Sequence, residues 1–189
     1  MKLLSRASLL AICFSLAISI AKAQEMVHAV SGTVTTVHPK IQMTDIETDD
    51  GSPGSFEWPK SRVSMEFDKN VSAETVAADK FTALQTHVIV YYYGVGEVRT
   101  MVAVHDLGTG PFVKSAGRVV KLDRRSHVLT IQNSTGGEET FTIDAKTVAD
   151  TEIGVATNYK FDYNKGIQVR VLATQSSGSQ TALLIAPVI

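Results

Sequence analysis

The stretch Ala29-Val30-Ser31-Gly32-Thr33-Val34-Thr35-Thr36-Val37 decides the fold class, because β-branched residues alternate in it with small polar ones. A period of two with many β-branched residues is typical of a β-strand. Clusters of Gly, Pro, Asn and Asp, which favour tight turns, separate this stretch from others like it. The same alternation recurs at residues 117–122, 127–132, 140–143 and 166–171. The sequence therefore predicts an all-β protein.

The pattern occurs twice in the same order, which indicates two tandem copies of one plan. Gly32-Thr33-Val34 near the start is echoed by Gly117-Arg118-Val119, and the closing run 100–104 by 181–185. Each copy is predicted to have five strands, with a short helix or irregular segment between strands 3 and 4. That segment spans residues 72–85 in the first copy and 149–165 in the second. This order is that of an OB-like barrel, and the alternative, an immunoglobulin-like sandwich, needs about seven strands per domain.

The N-terminus predicts a secretory signal peptide over residues 1–23. Lys2 and Arg6 precede an apolar run, and Ala21-Lys22-Ala23 is a small-residue cleavage site. Cys13, the single cysteine, lies inside the predicted signal peptide, so the mature chain has no disulfide. We expect a periplasmic or secreted protein with a first domain at 24–110 and a second at 111–189.

Charge and hydropathy argue against nucleic-acid binding and against a membrane-spanning helix after the signal peptide. Loss of Lys2, Arg6 and Lys22 with the signal peptide leaves 15 basic against 19 acidic residues, without the positive surface that nucleic acids require. No later apolar stretch is long enough for a membrane-spanning helix. The acidic run Asp45, Glu47, Asp49 and Asp50 before a Gly-Pro turn predicts a solvated hairpin tip rather than a calcium loop.

The two copies resemble exported bacterial β-repeat domains of unknown function. Those domains start with G-x-V-x-x-V, as residues 32–37 do and as residues 117–122 nearly do, and they carry an aspartate after strand three, as at Asp68 and Asp144. The resemblance covers nearly the whole mature chain and implies a fold rather than an activity.

The first copy also resembles the periplasmic copper and silver chaperones of the CusF type, which are single five-stranded OB barrels. Trp58-Pro59 followed by Met65-Glu66-Phe67 is similar to their Trp-Pro step with two methionines and a phenylalanine. The resemblance implies a soft-metal site, because thioether and imidazole ligands suit Cu(I) and an indole face shields it.

The chain departs from that family's pattern in its spacing and in two ligands. The spacing from Trp58 to Met65 is longer by two residues, Val63 stands where the first methionine is expected, and Thr44 stands where the histidine is expected. Met43 or His38 would have to substitute. The alternative interpretation is that Trp58 and Met65 only pack the core or its rim.

The run Tyr91-Tyr92-Tyr93 is the main aromatic feature. Alternation along a strand places Tyr91 and Tyr93 on one face and Tyr92 on the other. Exposed aromatic residues on an OB barrel stack on sugars or bases, so Tyr91 and Tyr93 are candidate ligand-binding residues. One tyrosine in the core and two at the rim is the structural alternative.

No catalytic motif is present: Ser-x-x-Lys, G-x-S-x-G, H-E-x-x-H and phosphate-loop patterns are all missing from the sequence. We therefore expect a non-catalytic binding or structural module without a cofactor, acting on an envelope protein or a small ligand. The alternative is a copper- or silver-binding protein that uses Trp58, Met65, Met43 and His38.

Overall fold

The computed structural model describes residues 26–59, 74–97 and 99–188, and these form two all-β domains. The predicted signal peptide, Met65 and Asp68 lie outside the described residues. The described part of the first domain holds six strands: β1 (His28–His38), β2 (Met43–Thr48), β3 (Ser55–Glu57), β4 (Val76–Ala77), β5 (His87–Tyr93) and β6 (Arg99–Gly108). The second holds seven: β7 (Phe112–Asp123), β8 (Val128–Gln132), β9 (Glu138–Thr142), β10 (Val148–Thr151), β11 (Gly154–Ala156), β12 (Gln168–Ser176) and β13 (Ser179–Pro187).

Each sheet closes on itself with the strand order expected of an OB-like barrel. In the first domain the order is β3-β2-β1-β5-β6, and a parallel pairing of β3 with β6 closes it. In the second domain the order is β9-β8-β7-β12-β13, and a parallel pairing of β13 with β9 closes it. The predicted fold class is confirmed. That the two domains arose by duplication stays a prediction.

The glycines of the two G-x-V starts lie where a neighbouring strand passes too close for a side chain. A Cβ atom on Gly32 would lie 2.4 Å from the carbonyl oxygen of Glu47, and one on Gly117 would lie 2.4 Å from that of Gln132. In both strands the register then shifts three residues beyond the glycine, around Thr35 in β1 and around Val120 in β7. Such bulges bend a strand sharply, which a small barrel requires.

The connection between the third and fourth barrel strands differs from the prediction in the second domain. The first domain has a single 3₁₀ turn there, Ala78–Lys80, within its described part. The second domain instead inserts a short hairpin, β10–β11, followed by an irregular segment with two turns over residues 157–167. Strand β10 pairs in parallel with β13, so the hairpin widens the second sheet at the edge that faces the first domain.

Three apolar clusters stabilise the chain: one core in each barrel and a third cluster between them. The third cluster joins Ala29, Ile89, Tyr91 and Ala103 of the first domain to Val148, Leu172 and Leu184 of the second. Strand β5 therefore buries both faces, with Val88 and Val90 in its own core and Ile89 and Tyr91 against the neighbouring domain.

The backbone also joins the two domains. The amide of Val155 in β11 donates to the carbonyl oxygen of Val27, just before β1, at 2.8 Å. Strand β6 ends at Gly108 and β7 begins at Phe112, so a connection of only three residues joins the barrels. Among the described residues, no helix has the length and apolar character needed to cross a membrane.

Candidate functional site

A cavity of about 200 Å³ lies between the two barrels, and both domains supply its walls. We call it the interdomain cavity. Its apolar floor includes Ala29, Val30, Leu172 and Leu184. Its charged residues are Asp49 and Asp50 from the first domain, and Lys114, Asp150 and Arg170 from the second.

Asp49 contacts three polar side chains at this cavity. Ser31 donates to its Oδ2 at 2.6 Å, His87 Nε2 lies 2.8 Å from the same oxygen, and Lys114 Nζ lies 2.6 Å from Oδ1. Burial opposes ionisation, but the hydrogen bonds from His87, Lys114 and Ser31 outweigh it and lower the pKa of Asp49 from 3.8 to about 2. Asp49 is therefore an anion at neutral pH and fixes the position of Lys114 across the cavity.

The ionised state of Asp49 assigns the tautomer of His87. A carboxylate only accepts hydrogen bonds, so His87 Nε2 carries the proton. In the neutral ring Nδ1 then accepts from the Thr33 hydroxyl, which lies 3.1 Å away. His87 is buried, and its ring packs 5.0 Å from that of Phe112 in the second domain.

Asp50 also forms an ion pair between the domains, with Arg170. The Ser52 amide donates to its Oδ1 at 2.9 Å, and Arg170 Nη2 donates to its Oδ2 at 3.1 Å. Burial raises the pKa of Asp50, but the bonds from Ser52 and the charge of Arg170 prevail, so its pKa is below the usual 3.8. Arg170 Nη2 also lies 3.4 Å from the Pro187 carbonyl oxygen.

Asp150 lies at the other side of the cavity, bonded to a histidine of the first domain. Its Oδ1 lies 2.9 Å from His28 Nδ1, and its side chain is 9% exposed. Burial raises the pKa of Asp150, although His28 acts in the opposite direction. The backbone here is held by Tyr163, whose hydroxyl lies 2.6 Å from the carbonyl oxygen of Asp150 and 3.0 Å from that of Ile185 and shares its one proton between them.

Tyr92 forms part of the cavity wall and is held from behind by an arginine. The guanidinium of the buried Arg99 lies 4.4 Å from the Phe56 ring centre and 5.0 Å from that of Tyr92. Within the described part of the chain, Arg99 forms no ion pair, and its Nη1 donates to Ser52 at 3.4 Å. The guanidinium of Arg99 therefore forms cation–π contacts with two rings, and these contacts fix Tyr92 against the cavity.

The predicted stacking pair Tyr91 and Tyr93 does not form an exposed aromatic surface. Alternation along β5 is as predicted, but the outward face at Tyr91 is covered by the second domain, and the side chain is 0% exposed. Tyr93 is half-buried. Tyr91 is buried because the face of β5 that would be free on a lone barrel packs against the second domain.

The structure separates the described members of the predicted metal site. His38 and Met43 pair across β1 and β2, while Thr44, the next residue along, is buried on the opposite face. Trp58 lies on that inner face, where its Nε1 donates to Thr44 Oγ1 at 2.9 Å. His38 Nε2 lies 3.2 Å from Asp45 Oδ2 on the outer face. Among the described residues, no three His, Cys, Asp or Glu side chains are arranged to hold a metal ion.

The acidic run also differs from its prediction. Asp49 and Asp50 were expected at a solvated hairpin tip, but their side chains are only 13% and 20% exposed, because the second domain covers them. Their partners Lys114 and Arg170 lie far along the chain, so no local pattern could have identified the contacts. The cavity residues are thus the ones that sequence reasoning missed.

Comparisons with protein-family models and with curated proteins find no match to this chain. Among solved structures, the crystal structure of Ag(I)CusF is similar to this chain at 17% sequence identity and a TM-score of 0.32. The match covers 41% of this chain and 97% of the CusF chain. This similarity is weak, and it does not extend to what the chain binds.

Proposed function

We propose that this chain is an exported, non-catalytic binding protein that holds a small molecule in the interdomain cavity. The observation that supports it is the convergence of charged side chains from both domains on one cavity with an apolar floor. Ligand sites combine such a floor with a few ordered polar groups, and they occur preferentially between domains.

The order of the charged groups supports binding as well. Ser31, His87 and Lys114 hold Asp49 in place, while Ser52 and Arg170 hold Asp50. Groups that are already fixed lose little conformational entropy when a ligand binds, which favours affinity. The Thr33 hydroxyl does lie next to a base, but that base, His87, is buried against Phe112 of the second domain, so we infer binding without catalysis.

Copper or silver binding is the other function that the sequence suggests, and the geometry favours it less. Trp58 and Thr44 occupy the positions where the CusF-type pattern has its tryptophan and histidine, but a threonine hydroxyl is a poor ligand for a soft cation. The substitutes Met43 and His38 lie on the opposite face of the strand.

A screen of small molecular fragments against the mature chain, residues 24–189, tests the proposal. Binding would be followed by ligand-observed NMR in the wild type and in Ala116→Trp, which places an indole in the cavity. Ala77→Trp, at an exposed position on β4, is the matched control. We expect fragments that bind the wild type and the control but not Ala116→Trp. Fragments that bind all three proteins alike, or none that bind at all, would overturn the proposal.

A further inference from the structure

We infer that the ligand of the interdomain cavity is a small organic anion, a carboxylate with a short apolar chain, whose charged end binds between Lys114 and Arg170. This inference rests on the proposed function and adds the chemical class of the ligand. It follows from which acceptors and donors of the cavity residues are bonded within the protein and which donors are left unused.

Both oxygens of Asp49 and of Asp50 are already bonded to groups of the protein. Asp49 receives Ser31 and His87 on one oxygen and Lys114 on the other. Asp50 receives the Ser52 amide on one oxygen and Arg170 on the other. An incoming ammonium group would share these oxygens with the positive charge of Lys114 or Arg170, so the carboxylates are poor sites for a cation.

Asp150 is no better a site for a cation. His28 occupies its Oδ1, backbone amides of Ala29 and Thr151 also hydrogen-bond to its carboxylate, and the side chain is 9% exposed. Each of the three carboxylates is thus bonded to groups of the protein.

The two cations, in contrast, keep unused donors. Lys114 has three N–H donors and uses one, on Asp49. Arg170 has five and uses only those of Nη2, on Asp50 and on the Pro187 carbonyl oxygen. The N–H groups of Nε and Nη1 make no hydrogen bond to any residue in the described ranges. The cavity therefore offers donors, which an anion or another acceptor satisfies.

Sheet register places these donors on one surface above an apolar floor. Lys114 in β7 pairs with Leu172 in β12, and Arg170 precedes Leu172 by two residues, so all three share one face. Leu184 and Val30 complete the floor. A carboxylate between Lys114 and Arg170 would thus leave its alkyl chain on Leu172.

The size of the cavity limits the ligand. Its volume of about 200 Å³ is comparable to that of a cavity of about 150 Å³ that binds benzene, so a short-chain acid fits. The charges of Asp49 and Asp50 are each offset by one of the two cations, and the third carboxylate at the cavity, that of Asp150, is bonded to His28.

The test is a titration of the mature chain with three probes of the same shape and different charge: butyrate, butyramide and butylammonium. Chemical shifts of backbone amides in β7 and β12 report binding in the cavity. We expect butyrate to bind at least about tenfold more tightly than either of the others, a difference of about 1.4 kcal/mol. If butyramide or butylammonium binds as tightly as butyrate, the anion inference is wrong and the cavity remains a binding site. If none binds at high millimolar concentration, both the inference and the proposed cavity site fail.

A charge variant assigns the effect to the cavity. Lys114→Gln should weaken butyrate binding about tenfold and butyramide binding much less, because the amide carries no charge, while Lys114→Arg should restore butyrate binding. Lys121→Gln is the control, since Lys121 is an exposed lysine on the same strand that pairs with Asp123 away from the cavity. Equal loss in the Lys114 and Lys121 variants would overturn the assignment.

Discussion

The carboxylate of Asp49 in the first domain lies 2.6 Å from the ammonium group of Lys114 in the second. The same carboxylate accepts from His87 and Ser31, so one side chain joins two strands of its own barrel to the neighbouring domain.

This contact predicts a pH-dependent contribution to stability. The pKa of Asp49 is lowered from 3.8 to about 2 by these hydrogen bonds, against the effect of burial. A lowered pKa in the folded state means that ionised Asp49 stabilises the fold above about pH 4 and that this stabilisation is lost as the pH falls toward 2. Asp49→Asn should therefore lower the free energy of unfolding by about 2 kcal/mol at pH 7 and by little at pH 2.

Urea unfolding at the two pH values measures the Asp49 effect. The control is Asp162→Asn, because Asp162 pairs with Arg124 at the surface, where both side chains are more than half exposed. An exposed pair contributes about 0–1 kcal/mol. An equal loss for Asp49→Asn at pH 7 and pH 2 would show that its contribution is not electrostatic.

A second prediction concerns the approach of the N-terminal backbone to β11. A Cβ atom on Gly154, where φ is +99°, would lie 2.9 Å from the Val27 carbonyl oxygen, whereas one on Gly136, where φ is +85°, would meet no atom within 4 Å. Both alanine variants incur about 1–2 kcal/mol of backbone strain. Gly154→Ala should lose about 1–3 kcal/mol more, because the two domains must shift apart. Thermal unfolding of the two variants compares these losses, and equal melting temperatures would refute the idea that Gly154 is needed for domain contact.

Two buried threonines of the second domain should respond in opposite ways to replacement by valine. Thr147 donates to the Ala182 carbonyl oxygen at 2.8 Å and accepts from the Asp144 amide at 2.9 Å. Thr157 is equally buried, and among the described residues its hydroxyl has no hydrogen-bond partner. Thr147→Val should destabilise the protein by about 1–3 kcal/mol, and Thr157→Val should stabilise it by about 1 kcal/mol.

Melting temperatures provide the readout for the threonine pair, since 1 kcal/mol shifts the midpoint by about 2–4 °C in a chain of this size. The two variants serve as controls for each other, because each replaces a hydroxyl by a methyl group of the same shape. Destabilisation by Thr157→Val would mean that its hydroxyl bonds to a group such as an ordered water.

The single tryptophan allows a direct test of the soft-metal alternative. Because Trp58 is 7% exposed and its indole N–H is bonded to Thr44, we expect no saturable change in its fluorescence when Ag(I) is added to the mature chain. Saturable one-to-one quenching that is lost in Met65→Ala would instead favour metal binding over the cavity function. Denatured protein, in which the indole is accessible, is the positive control for quenching.

The barrels were predictable because their signals are local. Alternation in β1, β7 and β8 and the glycines at positions 32 and 117 belong to single hairpins, where side chains and turns within a few residues set the structure. Asp144, the aspartate after the third strand of the second copy, likewise acts locally, since it accepts from the amides of Lys146 and Thr147 at 2.8 Å.

The interdomain cavity was not predictable, because it depends on how two finished barrels pack. Asp50 and Arg170 lie 120 residues apart, and nothing next to either one indicates the other. One signal was present in the run Val88-Ile89-Val90-Tyr91, which has no polar alternation. An unbroken apolar run in a strand indicates that both faces are buried, and a second domain is what buries the outer face here.

The hydrogen bond between Val155 and Val27 covers part of a sheet edge at which another copy of the chain could pair. Strand β11 ends the second sheet, and an uncovered terminal strand is a template on which another copy of the chain can add a strand. The segment leading into β1 occupies part of that edge. Contact with the first domain therefore covers part of an edge that the second domain, folded alone, would expose to strand addition by another copy.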